Sequence, residues 1–252
     1  MTSENWPLGA VELKVLDLEK EVAFYEWFGL DRISADAHSA TLGAGGSPLL
    51  RLKALLKGRP RPRRTAGLYH FAILLPSEEE LGGFLKRSLD ERLPLTGTSD
   101  HFVSQALYLD DPEGNGIEVY ADRPRSGWQY PNGRLSIGIE HLDFERLLRV
   151  AAKPEKKFSG GTVLGHMHLN VADLDRSQAF YETMGMELTA EAGQVMRFMS
   201  WDGYHHHVGI NLLEGRGAAP LEPDVRGLQG FEVRRVDSIR TDPDKVEITP
   251  AA

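Results

Sequence analysis

The 252-residue chain contains no cysteine. That excludes disulfides, zinc–cysteine sites, iron–sulfur clusters and thiol nucleophiles, and it fits a reducing compartment. Positive charge is in short supply: 29 Lys and Arg stand against 37 Asp and Glu, a net charge of -8. Binding to a phosphate backbone draws its affinity from Lys and Arg, so nucleic acid is not expected as a partner. The one basic run, Arg59 to Arg64, is short and broken by proline, and reads as a solvated loop. No apolar run approaches the roughly 20 residues that span a bilayer. Nor does the N-terminus, with an acid and a proline, read as a secretory leader. The expectation is a cytoplasmic protein without a membrane segment. What remains is a globular composition, 41% hydrophobic and 26% charged, long enough for one or two domains.

The chain repeats itself. Val15-Leu16-Asp17-Leu18 returns as Val171-Ala172-Asp173-Leu174, and Ala23-Phe24-Tyr25-Glu26 returns as Ala179-Phe180-Tyr181-Glu182. Gly29 returns as Gly185, and every match falls at one offset of 156 residues. The physics is shared as well. Val11 to Val15 and His166 to Val171 alternate at period two and read as strands. Asp17 and Asp173 follow as helix N-caps, and Gly29 and Gly185 as helix stops. Leu18, Val22 and Tyr25 form an apolar stripe at helical spacing; the second copy has Gln178 in the middle position, so its stripe is weaker.

A second unit repeats less faithfully. Gly67-Leu68-Tyr69-His70-Phe71 resembles Gly227-Leu228-Gln229-Gly230-Phe231. Asp111-Pro112, leading to Ile117-Glu118-Val119, resembles Asp242-Pro243, leading to Val246-Glu247-Ile248. From His70 to Asp111 the first copy advances 41 positions, with a helical stretch from Ser77 to Leu89; from Gly230 to Asp242 the last advances 12, too few for that helix. The expected fold is α+β: four βαβββ-type modules over 1–64, 65–124, 162–218 and 219–252, the fourth truncated. Residues 125–161 are an excursion between modules two and three, with a helix from Phe144 to Ala152.

Four such modules, a strand-one histidine and the Asp111 to Glu118 ending resemble the vicinal oxygen chelate superfamily. Within it the chain resembles the two-domain extradiol dioxygenases of the catechol 2,3-dioxygenase type. The carrying segments are Gly67 to Pro76, Ser99 to Pro124, Leu164 to Leu174 and Gly203 to Leu212. The resemblance implies modules paired into two open eight-stranded barrels, and a divalent metal held by two histidines and a glutamate. It places the ligands at His70, His166 and Glu118. Modules one and four carry Ala10 and Gly230 where their histidines would stand. Modules two and three are therefore expected to build the metal-bearing barrel, and one and four a degenerate one. Two neutral imidazoles and one carboxylate suit non-haem Fe(II), with Mn(II) sharing these ligand types. His168, two residues from His166 on the same strand face, is expected to line the pocket.

Ring cleavage needs protons moved, and the resemblance implies that His101, Tyr108 and the run His205-His206-His207 lie near the substrate. The run reads as strand, because Tyr204 precedes it and Val208-Gly209-Ile210 follow. The family's acid–base histidine aligns best with His207, leaving His205 and His206 as pocket residues. His38 and His141 have no motif around them and read as surface. The implied partners are a small aromatic diol and O2. Two other activities occur on this scaffold: a glyoxalase-like isomerase, lyase or thiol transferase, and metal-free binding. The first commonly takes a second last-strand Glu, and module three has none before Glu214. The short fourth module leaves its barrel open or finished by another subunit, which makes a homodimer an expectation.

Overall fold

Asp17 and Asp173 behave as the sequence requires. Asp17 accepts from Lys20 N at 3.1 Å and opens α1 (Leu18–Phe28); Asp173 accepts from Asp175 N and Arg176 N and opens α4 (Leu174–Glu182). A carboxylate there satisfies backbone donors that lack a helical partner. Gly29 ends α1 at φ 135°, a conformation that favours glycine. Gln178, which weakened the α4 stripe, faces out: it bonds Glu182 and Arg197. Ser77 caps α2 (Glu78–Glu91), which runs two residues past Leu89, where the sequence reading ends it. Helix α3 (Phe144–Val150) stops short of Ala152, whose N–H is taken by Glu79 O. Gly82 lets α3 press on α2, since a Cβ there would lie 2.5 Å from Leu147 O.

The computed structural model describes residues 5–251. Glu4, the acid in the leader reading, lies outside them. The architecture is α+β, with two mixed sheets. One has seven strands: β1 (Leu8–Val15), β2 (Asp31–Ala35), β3 (Ser39–Ala44), β4 (Ser47–Ala54), β13 (Gly227–Val233), β14 (Arg240–Thr241) and β15 (Glu247–Pro250). Their order is β14-β15-β13-β1-β4-β3-β2. The other has eight: β5 (Gly67–Leu74), β6 (Leu95–Asp100), β7 (Ser104–Asp110), β8 (Gly116–Asp122), β9 (Val163–Asn170), β10 (Glu187–Ala192), β11 (Met196–Ser200) and β12 (Val208–Asn211). Their order is β10-β11-β12-β9-β5-β8-β7-β6.

The expectation of two eight-stranded barrels needs correction. The first sheet has seven strands, because only six residues, 234–239, separate β13 from β14. That span has room for neither the helix nor the strand found after β1, β5 and β9. The eight-stranded sheet is a curled half-barrel with β10 and β6 as its edge strands. It joins residues 67–122 to 163–211 through an antiparallel β5–β9 pair. The seven-stranded sheet joins 8–54 to 227–250 through β1–β13. Among the described residues no helix is long and apolar enough to cross a membrane.

Candidate metal centre

Ladder register builds the site. Ala72 of β5 pairs with Glu118 of β8 on one side and with His166 of β9 on the other. Cross-strand partners share a sheet face, and residues two apart on a strand share it too. His70, Glu118 and His166 therefore converge over the small Ala72 side chain. His70 Nε2 lies 3.0 Å from Glu118 Oε2, His166 Nε2 lies 3.2 Å from the same oxygen, and the two nitrogens are 3.3 Å apart. All three residues are buried. Among the described residues they form the one group of three or more His, Cys, Asp or Glu whose donor atoms approach so closely.

These separations fit a divalent ion. Ligand bonds of about 2.1 Å set donors about 3.0 Å apart at right angles and about 3.4 Å apart at tetrahedral angles. Burial raises the Glu118 carboxyl, but the adjacent His166 and His70 outweigh it and hold it well below the usual carboxylate range. Burial pushes His166 down to about 4. Near neutral pH the site thus offers an ionised carboxylate and a neutral His166 imidazole, the protonation states a metal requires.

Around the triad opens a cavity of ≈ 520 Å³, lined by His70, Glu118, His166, His168, His206, His101 and Tyr108 among others. Tyr108, on β7, pairs across the ladder with Glu118, and its hydroxyl lies 2.7 Å from His101 Nε2. His101 Nδ1 lies 2.6 Å from Gly138 O. A carbonyl only accepts, so Nδ1 carries the proton and Nε2 accepts from the Tyr108 hydroxyl. His101 itself stands in the turn before β7 rather than on a strand. His168 lies against Tyr69, His70 and Phe198, and Gly209 makes room for it, since a Cβ there would meet His168 Cδ2 at 3.0 Å.

The histidine run departs from expectation. Asp202 and Gly203 turn the chain at φ 56° and 62°, and no strand begins until Val208. Period-two alternation therefore does not apply to positions 205–207. Of the three, only His206 lines the cavity; its ring centroid is 4.1 Å from that of His166. His207 packs outside it, among Trp6, Trp201 and Tyr204, with Nδ1 accepting from Trp201 N at 3.3 Å. His205 sits between: its Nδ1 is 2.7 Å from His206 Nδ1 and its Nε2 is 3.0 Å from Asp122 Oδ1. Tyr204 also donates to Asp122, and Tyr120 bonds Tyr204. Sequence reasoning missed Asp122. It lies four residues past Glu118 at the end of the same strand, so period-two spacing placed it on the ligand face. His38 and His141 are exposed.

The Glyoxalase/Bleomycin resistance protein/Dioxygenase superfamily pattern matches residues 8–119. A second comparison covers most of the chain. It is 39% identical over 245 residues, 92% of this chain and 85% of the other, to the catechol-2,3-dioxygenase of Bacillus subtilis (strain 168). The chain belongs to the Glyoxalase/Bleomycin resistance protein/Dioxygenase superfamily. Within it, the sequence is similar to that Bacillus protein. Solved structures share the fold at low identity. The cppA protein of Streptococcus pneumoniae TIGR4 aligns at TM-score 0.58 and 14% identity, covering 97% of each chain. Glyoxalase I of Zea mays aligns at TM-score 0.56 and 16% identity, covering 96% of this chain and 90% of the other.

Proposed function

We propose that the protein is an extradiol dioxygenase, in which ferrous iron held by His70, His166 and Glu118 serves the cleavage of a catechol-type ring by O2. The observation that carries this reading is the meeting of three buried donors from three strands at the floor of one cavity. The named Bacillus relative supports the same reaction class. When bound, ferrous iron supplies the electron source and Lewis acid for oxygen chemistry, and two neutral imidazoles with one carboxylate leave it a net charge near plus one. Mn(II) takes the same donor types.

The chain's own residues account for the protons. Asp122 accepts from His205 Nε2, and the Nε2–H tautomer of His205 presents a bare Nδ1 to His206. His206 then carries its proton on Nδ1, which leaves its Nε2 free to take a proton from a diol in the cavity. Burial pushes His206 well below the usual histidine range, which keeps it neutral near pH 7. On this reading His206 takes the acid–base part that the family resemblance implies for His207. Across the cavity Tyr108 and His101 orient the substrate or return a proton. The lining Val103, Met196 and Phe198 seat the ring and exclude water.

The glyoxalase-like alternative is less well supported. Glu214, the first acid after the histidine run, accepts from Arg64 N at 2.6 Å and lies near Arg61, away from the triad. The proposal includes the division into βαβββ-type units over 1–64, 65–124, 162–218 and a shortened 219–252, with 125–161 connecting them. It also includes a cytoplasmic location and a homodimer covering the short seven-stranded sheet. Light scattering at micromolar concentration tests the dimer, and a monomer contradicts it. The activity is tested by a colorimetric screen of the iron-loaded protein against simple, alkylated and chlorinated catechols near neutral pH. Yellow ring-opened product is expected; no colour with any of them, at full iron, contradicts the dioxygenase reading.

A further inference from the structure

The excursion 125–161 enters the chemistry proposed above only through the Gly138 carbonyl on His101, and its centre is firmly placed. Leu135 N donates to Thr189 O of β10 at 3.1 Å. Glu140 exchanges backbone bonds of 2.9 and 3.0 Å with Asp100, the last residue of β6. Strands β10 and β6 are the two edge strands of the eight-stranded sheet. Residues 135–140 therefore cross from one edge to the other. Five steps of extended chain reach at most about 18 Å, so the edges are close and the crossing roofs the space between them.

The crossing touches the cavity along its length. Ile137, Gly138 and Ile139 all line it. Gly138 O is the partner of His101 Nδ1. Gly138 is also held against Phe102: a Cβ there would meet the ring at 2.2 Å. Phe102 stands at φ 71°, rare for a bulky residue, with its N–H on Asp100 Oδ1 at 2.9 Å. The position of the strap is thus set by the turn that carries His101. Contacts run from Glu118 to Tyr108, from Tyr108 to His101 and from His101 to Gly138, so the strap covers the side of the cavity beyond Tyr108.

Two quantities say what the strap faces. Ile139 is 81% exposed although it borders a cavity, so an apolar side chain waits at the mouth uncovered. The cavity measures ≈ 520 Å³. A benzene-sized guest is housed by roughly 150 Å³, leaving most of that volume for something attached to the ring.

We infer that residues 135–140 form a specificity strap, in which Ile137 and Ile139 select diols bearing an apolar ring substituent over the unsubstituted diol. The inference deepens the ring-cleavage reading and rests on it for its turnover measurement. Ile139→Ser is the test, because an exposed position leaves the fold intact, which a denaturation curve checks. Catechol and 3-phenylcatechol serve as probes, in steady-state turnover with O2 and in calorimetric binding without it. The native protein is expected to favour the phenyl compound at least about tenfold in kcat/KM. The variant is expected to lose about tenfold on that compound, through KM, and to stay within about twofold on catechol, the scale of a few apolar contacts in a pocket. An unchanged ratio between the two diols, or an equal loss on both, overturns the strap. If the native protein cleaves neither, the dioxygenase reading fails and binding decides separately: tighter phenylcatechol binding that Ile139→Ser abolishes upholds the strap, and equal binding of both diols overturns it.

Discussion

Ala72 stands directly opposite His166 in the β5–β9 ladder, and its other neighbour across the sheet is Glu118. Its methyl group is the floor on which the three candidate ligands meet. Ala72→Leu adds three carbons there without removing a donor. The larger side chain is expected to push Glu118 and His166 apart and to reduce iron binding at least about tenfold. Overpacking also costs about 1–3 kcal/mol of stability. Metal analysis of the refolded variant checks this; full iron content would show that the donors do not meet over position 72.

His206 and His207 are neighbours with opposite predicted effects. His206→Gln removes a cavity base and is expected to lower kcat by about 10²–10⁴-fold with iron still bound. His207→Phe substitutes an aromatic ring among Trp6, Trp201 and Tyr204 and is expected to keep kcat within about threefold. Turnover of both variants against one catechol decides. The reverse order of effects would return the acid–base part to His207.

Tyr25 donates to Asp111 Oδ2 at 2.8 Å, joining α1 to the turn before the Glu118 strand. Beside them Glu21 is buried with both carboxyl oxygens unbonded. Burial, then the neighbouring charge of Asp111, pushes its pKa from 4.5 up to about 9. The folded protein holds that proton more tightly than the unfolded chain. Its stabilising contribution is therefore complete below about pH 4.5 and declines as pH rises to about 9. Glu21→Gln keeps the size and removes the charge. It is expected to flatten this decline and to raise stability at pH 8 by at least about 1 kcal/mol. Urea unfolding at pH 6, 7 and 8 measures it; parallel pH slopes for both proteins would contradict the account.

Much of the frame was legible because it follows local rules. Asp17 and Asp173 cap helix starts and Gly29 ends a helix through contacts within their own segments. That His70, Glu118 and His166 come together was legible through the family resemblance, with the repeat offset pointing to His166. The histidine run does not follow strand alternation back from Val208 to Tyr204, because the left-handed residues Asp202 and Gly203 turn the chain just before it. Gly138 left no trace of its role. Its contact with Phe102 and His101 comes from a chain crossing between two sheet edges, which neither periodicity nor repetition reports. Glu21 was hidden for the same reason: its helical position is unremarkable, and only packing against Asp111 makes it a buried acid.

The central claim is that one metal ion is gripped jointly by His70, Glu118 and His166. Anaerobic loading with Fe(II), followed by desalting and metal analysis, tests it most directly. About one iron per native chain is expected, with near-total loss in His70→Ala and in Glu118→Ala, each of which remains folded by circular dichroism. Iron retained at native levels in both variants would contradict it.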